Sequence, residues 1–433
     1  MERPAPQAPH WVYRPVVRWS FLVLVALVVL ANVVSKVARL PTDAVGYHNR
    51  GVSDIERGKY AEGIENLTRS LALDPSRADS YVTRGFARNR MGNREAAIAD
   101  YDQAIRLDPA NAEAHAGRAA VEVARDHLKR AIEDYTNAVG LDPESADHYR
   151  GRAVARQRIG DEPGALKDFD RAIAIAPENG RGYLRRGDLF YDQGQWREAA
   201  GDYRRARHLL AAGADRNRAS LLLWSARARL GDRQGATEEL GAYLRGTKPR
   251  RRDAWLSELS GFLQGKRTEQ DLLNAAGSMD RSRLGERACE ASLFAATQRL
   301  LQDDRAAAVA LWRRCLQSGE KDQYAFDRTE AEIRNVLLGF RAADLDEEDR
   351  ASLSLKPGVG LSVVRVRDGG PAARAGLTAG DVLLTIDGGA ANPRRLADLE
   401  RRKAPGQPVT LGLIREGRKM TAVIRPGSFA PTR

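Results

Sequence analysis

The amino-acid sequence predicts a mainly α-helical protein: a solenoid of repeated helix pairs, then a small α+β domain, with one N-terminal transmembrane helix. The solenoid follows from small residues that recur every 34 positions, which are Gly51, Gly85, Ala119, Ala153 and Gly187. The transmembrane helix follows from an uncharged run at positions 19–35. The α+β domain follows from short β-branched stretches between glycine-rich turns after residue 333. A period of 34 residues has room for two short helices and their turns.

Other positions repeat in step with these small residues, and their chemistry explains the helix pairs. A second small residue, a large and mostly aromatic residue, and a proline each form a series: Gly63, Ala97, Ala131, Ala165, Ala199; Leu67, Tyr101, Tyr135, Phe169, Tyr203; Pro75, Pro109, Pro143, Pro177. Small residues let antiparallel helices approach closely, and the large residue fills the space between neighbouring pairs. Proline ends the second helix because it lacks an N–H group. This order resembles the tetratricopeptide repeat (TPR) family.

The repeats divide the first two thirds of the chain. Five units of 34 residues run from position 44 to 213, and a sixth follows a three-residue insertion, since Ala236 stands 37 residues after Ala199. We assign 44–249 to a solenoid of about six repeats and 250–328 to divergent, TPR-like helical pairs. The TPR resemblance implies that the first helices of the pairs line a concave groove for a protein partner. The groove residues expected here are mostly apolar and include Val82, Phe86, Ala120, Val154 and Leu184.

Two charged columns accompany the repeats. An arginine stands directly before the first small residue of each repeat, at Arg50, Arg84, Arg118, Arg152 and Arg186. An aspartate stands directly before the aromatic residue of the second helix, at Asp100, Asp134, Asp168 and Asp202. They form either a ladder of partly exposed Arg–Asp pairs or a basic stripe for an acidic partner. Because the aspartates repeat in step with the arginines, we expect the ladder, with each exposed pair contributing about 1 kcal/mol or less.

Composition argues against several classes of function. The 433 residues carry a net charge of +12, but the basic residues are interleaved with acidic ones and form no run with aromatics for base stacking. We therefore expect no nucleic-acid partner. Nucleophile-elbow, zinc-protease and phosphate-loop motifs are absent, and the six histidines are dispersed. We expect no catalytic residues, cofactor or metal, and hence not an enzyme.

The N-terminal region predicts membrane attachment. After a tail at 1–18, residues 19–36 are long enough to cross a hydrocarbon core of about 30 Å. A cleaved signal peptide is the alternative, since Val33-Val34-Ser35 resembles a cleavage site. The long, proline-rich leader favours a retained anchor. Basic residues flank both ends almost equally, so they do not fix its orientation.

The C-terminal stretch 333–427 contains a long ordered motif. A strand at 359–366 is followed by Gly369-Gly370-Pro371-Ala372, by Gly376-Leu377 and by Gly380-Asp381, and a helix and two strands complete the pattern. This closely resembles a PDZ domain, in the arrangement found in the high-temperature-requirement family of envelope proteases. The resemblance implies that the N–H groups of a loop hold a partner's terminal carboxylate, that its tail adds as a strand, and that a later helix lines the side-chain groove. The corresponding residues are Leu338, Gly339, Phe340 and Arg341 for the loop and strand, and Leu396 and Leu399 for the helix. A degenerate PDZ domain serving only as a spacer is the alternative.

Two cysteines bear on the compartment. Cys289 and Cys315 are expected at adjoining ends of the last helical pair, where they form either a disulfide or two buried thiols. A disulfide would contribute about 3 kcal/mol and would indicate an oxidising compartment. We expect a single-pass protein of the inner (cytoplasmic) membrane with both domains facing the periplasm or cell exterior.

These observations predict an interaction scaffold that joins a partner in the solenoid to the C-terminal tail of another protein. The alternatives are a regulatory subunit that presents tails to a separate envelope protease, and an assembly factor for a membrane complex.

Overall fold

A computed structural model describes residues 43–246, 254–278, 284–317, 329, 332–333, 336–345, 347–403 and 406–425. The predicted tail (1–18) and membrane anchor (19–36) lie outside these residues. Within the described ranges, no helix is both long enough and apolar enough to cross a membrane.

The chain divides into two compact units, one ending at Arg125 and the other beginning at Asp126. The described helices of the first unit are α1 (Ala44–Glu56), α2 (Tyr60–Leu73), α3 (Ala78–Arg90), α4 (Arg94–Leu107) and α5 (Ala112–Ala124). Side chains cap some of them: Asp43 accepts a hydrogen bond from the Gly46 N–H at 2.7 Å at the start of α1. The apolar core of this unit is built from the repeated positions, including the buried Leu67 and Tyr101.

The second unit continues with helices of the same kind. They are α6 (Leu128–Leu141), α7 (Ala146–Ile159), α8 (Glu162–Ile175), α9 (Gly180–Asp192), α10 (Trp196–Leu209), α11 (Ala214–Arg229), α12 (Arg233–Gly246), α13 (Ala254–Leu263), α14 (Glu269–Ser278), α15 (Leu284–Leu301) and α16 (Arg305–Gln317). Gly160 ends α7 in the left-handed conformation, with φ of 90°. The helical part is a TPR-like solenoid, as predicted.

Small residues pack where the 34-residue pattern places them. Ala153, Ala165 and Ala199 have no exposed surface. A Cβ atom added to Gly187 would lie 2.9 Å from the Tyr203 ring, so a larger residue there would force the ring to move. The close approach of neighbouring helices therefore depends on side-chain size at these positions.

A small antiparallel sheet domain follows the helices. Its elements are β1 (Phe340–Asp344), α17 (Glu347–Ser352), β2 (Leu361–Val366), α18 (Pro371–Arg374), β3 (Val382–Ile386), β4 (Gly389–Ala390), α19 (Pro393–Arg402), β5 (Val409–Arg415) and β6 (Arg418–Ile424). The strand order is β1-β2-β3-β5-β6, with β4 paired to β3. In the described sheet β1 is an edge strand, and its one neighbour is β2, with Phe340 opposite Val366.

The sheet domain and the last helices share one apolar core. A continuous cluster of buried side chains runs from Leu221 and Trp224 on α11 through Trp312 on α16 to Phe340 on β1 and Leu411 on β5. The domain is therefore packed against the helical part of the second unit through a common core.

The two cysteines lie inside this cluster. Cys289 on α15 and Cys315 on α16 are joined by a disulfide, with their Cα atoms 4.1 Å apart, and neither side chain is exposed. The bond links the two helices of the last helical pair.

Candidate peptide-binding sites

The loop before β1 is held in a conformation that needs glycine. Gly339 has φ of 75°, and a Cβ atom added there would lie 2.8 Å from the Cδ atom of Pro371. Side chains rarely adopt this φ, and the close approach of α18 leaves no space for one. The loop residues Leu338, Gly339 and Phe340 are therefore fixed against the start of α18.

Two hydrogen bonds orient the peptide groups of this loop. The Leu338 carbonyl accepts from the Ala372 N–H at 3.0 Å, and the Gly339 carbonyl accepts from the Arg367 N–H at 2.8 Å. In a trans peptide the C=O and N–H groups point in opposite directions. The Gly339 N–H consequently points away from Ala372 on α18, and the Phe340 N–H points away from Arg367.

The Gly-Asp motif of the sheet domain has a structural role. The Asp381 carboxylate accepts bonds from the Thr378 N–H at 2.9 Å and from Arg415 at 2.6 Å. Burial alone raises the pKa of Asp381, but the hydrogen bonds from Arg415 and Thr378 outweigh it and hold the pKa below its ordinary value. Asp381 thus ties the turn after α18 to β5 and keeps α18 against the loop.

The apolar residues expected in the groove are buried in this structure. Leu338 and Phe340 are 1% and 2% exposed, and Leu396 and Leu399 on α19 are 4% and 8% exposed. Leu396 and Leu399 are therefore closed to a ligand in this conformation. The C-terminal end of α19 is held by Arg313 of α16, which donates to the carbonyl oxygens of Glu400, at 3.2 Å, and Lys403.

Arg341 on β1 contacts the solenoid, which the sequence did not predict. Its guanidinium lies 3.3 Å from Glu162 at the start of α8 and donates to the Gln157 carbonyl at 2.5 Å. Arg365 on β2 lies 3.4 Å from the same carboxylate and donates to the Asp192 carbonyl at 2.6 Å. One face of β1 and β2 is therefore attached to the start of α8 and to the C-terminal ends of α7 and α9.

A second attachment lies beside the loop. Glu332 and Arg229 form a buried ion pair of 2.7 Å, with 6% and 9% of their side chains exposed. The Arg229 guanidinium also lies 5.1 Å from the centre of the Trp196 ring. Arg229 closes α11, so this pair joins the chain just before the loop to the solenoid.

The residues expected on the concave solenoid surface differ in their accessibility. Phe86 is 46% exposed, whereas Val82, Ala120 and Val154 are half-buried. Leu184 is 3% exposed and packs in a cluster with Tyr191 and Tyr203, so it is a core residue and does not face a ligand. Leu184 is buried because it belongs to an apolar cluster that includes Tyr203 on α10 and Leu222 on α11.

The Arg–Asp columns form paired charges, but the pairs are more buried than expected. Arg152 donates two bonds to Asp168, at 2.9 and 2.8 Å, and Asp168 is 2% exposed. Arg84 with Asp100 and Arg186 with Asp202 repeat this geometry. These bidentate pairs join the two helices of one repeat, and the same arginines also reach back to the preceding repeat.

Family profiles match both halves of the described architecture. A PDZ domain profile matches residues 336–425, a TPR repeat profile matches 87–124, and a tetratricopeptide repeat profile matches 121–180. The chain thus carries TPR repeats and a C-terminal PDZ domain, both of which are protein-interaction modules.

Individual relatives match less of the chain. The magnetosome formation protease MamE of Paramagnetospirillum magneticum is 34% identical over 100 residues, which are 22% of this chain and 14% of that protein. This chain therefore spans a small part of that relative.

Solved structures with a similar fold are distant in sequence. MamA shares 22% identity with a TM-score of 0.33, covering 36% of this chain and 92% of that chain. PilF of Pseudomonas aeruginosa shares 18% with a TM-score of 0.41, covering 47% and 93%. PilW, a type IV pilus biogenesis factor, shares 15% with a TM-score of 0.43, covering 47% and 95%.

Proposed function

We propose that this protein is a membrane-anchored scaffold of the bacterial cell envelope, which binds one protein on its TPR solenoid and the C-terminal tail of another at its PDZ domain. The observation that carries the proposal is the orientation of the loop peptides, whose carbonyls bond to Ala372 and Arg367 and whose N–H groups point the other way. We assign no catalytic step to the chain.

The tail would bind in two parts. The Gly339 and Phe340 N–H groups donate charge-assisted hydrogen bonds to the terminal carboxylate, which are about twice as strong as neutral ones. The residues before the terminus would add as a strand along the edge of β1 that pairs with no other strand of the described sheet, beside Phe340, Arg341 and Ala342. The last side chain enters between β1 and α19 once Leu396 and Leu399 separate from the core.

Calorimetry with the full-length chain tests tail binding. A peptide ending in an apolar residue with a free carboxylate is compared with the same peptide carrying a C-terminal amide. The free acid should bind with micromolar affinity, about −8 kcal/mol. The amide should not bind, because it has no charge and its NH₂ group would face the N–H donors of the loop. Equal binding of both forms would leave the domain as a spacer or as a reader of internal motifs.

The membrane part of the proposal places the anchor at residues 19–36 and both domains outside the cytoplasm. It is supported by the bond between Cys289 and Cys315, since disulfides persist mainly in oxidising compartments. A reporter enzyme active only in the cytoplasm, fused after Arg433, should be silent, while one active only in the periplasm should work. The reverse result would place the domains in the cytoplasm.

A further inference from the structure

A basic cleft lies between α10 and α12, the second helices of two consecutive repeats. Its volume is about 750 Å³. Gly201, Arg204, Arg205 and His208 line it from α10, and the face from Glu239 to Gly246 lines it from α12. On each helix the lining positions are spaced i, i+3, i+4 and i+7, which is one helical face. The cleft therefore follows the two helices for about two turns, or about 10 Å.

Arg204 stands at a repeat position that is a hydrogen-bond acceptor in the earlier repeats. Its counterparts at 34-residue steps are Thr68, Asp102, Thr136 and Asp170. Each accepts a bond from the column arginine of the following repeat: Arg84 to Thr68 at 3.1 Å, Arg118 to Asp102 at 2.7 Å, Arg152 to Thr136 at 3.3 Å, Arg186 to Asp170 at 2.7 Å. A guanidinium has no acceptor, so Arg204 cannot continue this series.

The following repeat offers no matching arginine either. Three residues are inserted before it, and the counterpart of Arg186, 37 positions later, is Leu223, which is 2% exposed. Arg186 and Asp170 thus form a bond between the fourth and fifth repeats that has no equivalent between the fifth and sixth. At that position Arg204 instead presents a cation to the cleft. Arg204 keeps 54% of its side chain exposed.

Positive charge exceeds negative charge among the lining residues. Arg204, Arg205, Arg207 and Arg216 line the cleft, together with one carboxylate, that of Glu239; Arg205 is also paired with the exposed Glu178, at 3.0 Å. Glu239 already accepts from Arg207 and from Arg227, and Arg204 lies 3.9 Å from it. Its charge is therefore shared among several guanidinium groups.

Backbone contacts fix one of these cations. Arg216 at the start of α11 donates to the carbonyl oxygens of Arg207, at 2.8 Å, and His208, at 3.3 Å. These acceptors are neutral, so they hold the guanidinium at the cleft without cancelling its charge.

We propose that this cleft binds an acidic, extended segment of a protein partner. A length of about 10 Å matches about three extended residues at 3.3 Å each, whereas a single anion would fill about one helical turn. Guanidinium groups bind carboxylates in a bidentate manner. The small side chains of Gly201, Ala242 and Gly246 leave room for the peptide backbone. The site lies on second helices, apart from the PDZ loop and from the first-helix groove, and so goes beyond the proposed function.

The test uses the full-length chain and a fluorescent hexapeptide of alternating glutamate and alanine, acetylated and amidated so that it cannot bind as a free tail. Arg204→Asp restores the acceptor type of the earlier repeats and should weaken binding about tenfold. Arg171→Asp makes the same charge change one repeat earlier, at the exposed counterpart of Arg205, and should leave the affinity unchanged. A glutamine version of the peptide should not bind.

A second variant tests the cleft without altering its charge. Ala242 is exposed within the cleft, so Ala242→Trp should fold normally and block the peptide. The proposal is overturned if Arg204→Asp and Ala242→Trp both bind like the unaltered chain, or if Arg171→Asp weakens binding as much as Arg204→Asp. Displacement of the peptide by millimolar inorganic phosphate would assign the cleft to a small anion and would overturn the peptide assignment.

Discussion

Glu162 lies 3.3 Å from Arg341, and this ion pair connects the strand expected to bind a peptide tail with the second helix of the fourth repeat. Arg365 shares the same carboxylate, and Gln193 donates to it at 3.0 Å. Glu162 is 8% exposed. Glu162 is therefore one buried acidic side chain that joins β1 and β2 to the solenoid, beside the Arg229–Glu332 ion pair and the shared apolar core.

Glu162→Ala should destabilise the protein by about 1–3 kcal/mol, because Arg341 and Arg365 would lose their shared partner in a partly buried site. Urea unfolding of the full-length chain measures this. Glu144→Ala is the matched control, since Glu144 pairs with Arg171 at 3.0 Å but is 75% exposed, and it should change stability little. Equal effects of the two substitutions would mean that Glu162 does not hold the domain in place.

The Arg–Asp pairs allow a second comparison. Arg152→Ala leaves Asp168 buried with Arg156 as its remaining cation, at 2.8 Å, and should cost about 2 kcal/mol or more. Arg171→Ala removes an arginine from an exposed pair and should cost far less. Thermal unfolding of both variants measures the two losses of stability. A larger loss for Arg152→Ala supports buried pairs, whereas equal losses would indicate an exposed ladder.

Glu290 makes stability depend on pH. The pKa of its carboxyl is raised to about 7: burial is the main cause and Glu286 adds to it, while the Trp255 N–H, which donates to Glu290 at 2.6 Å, and the charges of Arg218 and Arg287 oppose the rise. Because the folded-state pKa lies above the unfolded value of 4.5, folding favours the protonated form. The stabilisation is fully present below pH 4.5 and is lost as the pH rises through 7, with a total on the order of 3 kcal/mol.

Glu290→Gln isolates this contribution, because glutamine keeps an acceptor for Trp255 and has no charge. Urea unfolding at pH 5 and pH 8 should show a smaller decrease in stability for the variant than for the unaltered chain. The variant should be the more stable of the two at pH 8. An identical pH dependence in both proteins would show that Glu290 titrates as an exposed carboxyl.

Period and composition were sufficient to predict the helices. Ala165 and Phe169 belong to series that recur every 34 residues, and both are fully buried. The sequence shows them because the packing of neighbouring helices depends on the size of the side chain at each repeated position. The expected helices at the C-terminal end of the solenoid also appear, as α13 to α16. Leu184 was predicted to line the groove, but it packs in a core cluster with side chains of the following helices. The sequence around Leu184 does not show which helices will cover it.

Contacts between distant segments could not be predicted in the same way. Glu162 stands at the first position of α8, where an acidic residue is explained by the helix dipole alone. Arg341 lies 179 residues further along the chain, and no periodicity relates the two. The sequence does show the three-residue insertion beside the basic cleft. It does not show which side chains the insertion brings to face one another, and the cleft depends on them.

The last prediction concerns Gly339, which both forms the carboxylate loop and contacts Pro371. Gly339→Ala in the full-length chain should abolish binding of a free-acid peptide. A Cβ atom there would lie 2.8 Å from the Pro371 Cδ atom, and the loop would have to move and turn its N–H groups. Gly358→Ala is the matched control: Gly358 has φ of 71°, close to the 75° of Gly339, but has no atom within 4 Å of an added Cβ. Both substitutions carry the same backbone strain, and Gly339→Ala alone disturbs the loop. Calorimetry with one free-acid peptide compares them. If Gly339→Ala retained full affinity, the carboxylate would bind elsewhere, and the assignment of Leu338, Gly339 and Phe340 to the tail would fail.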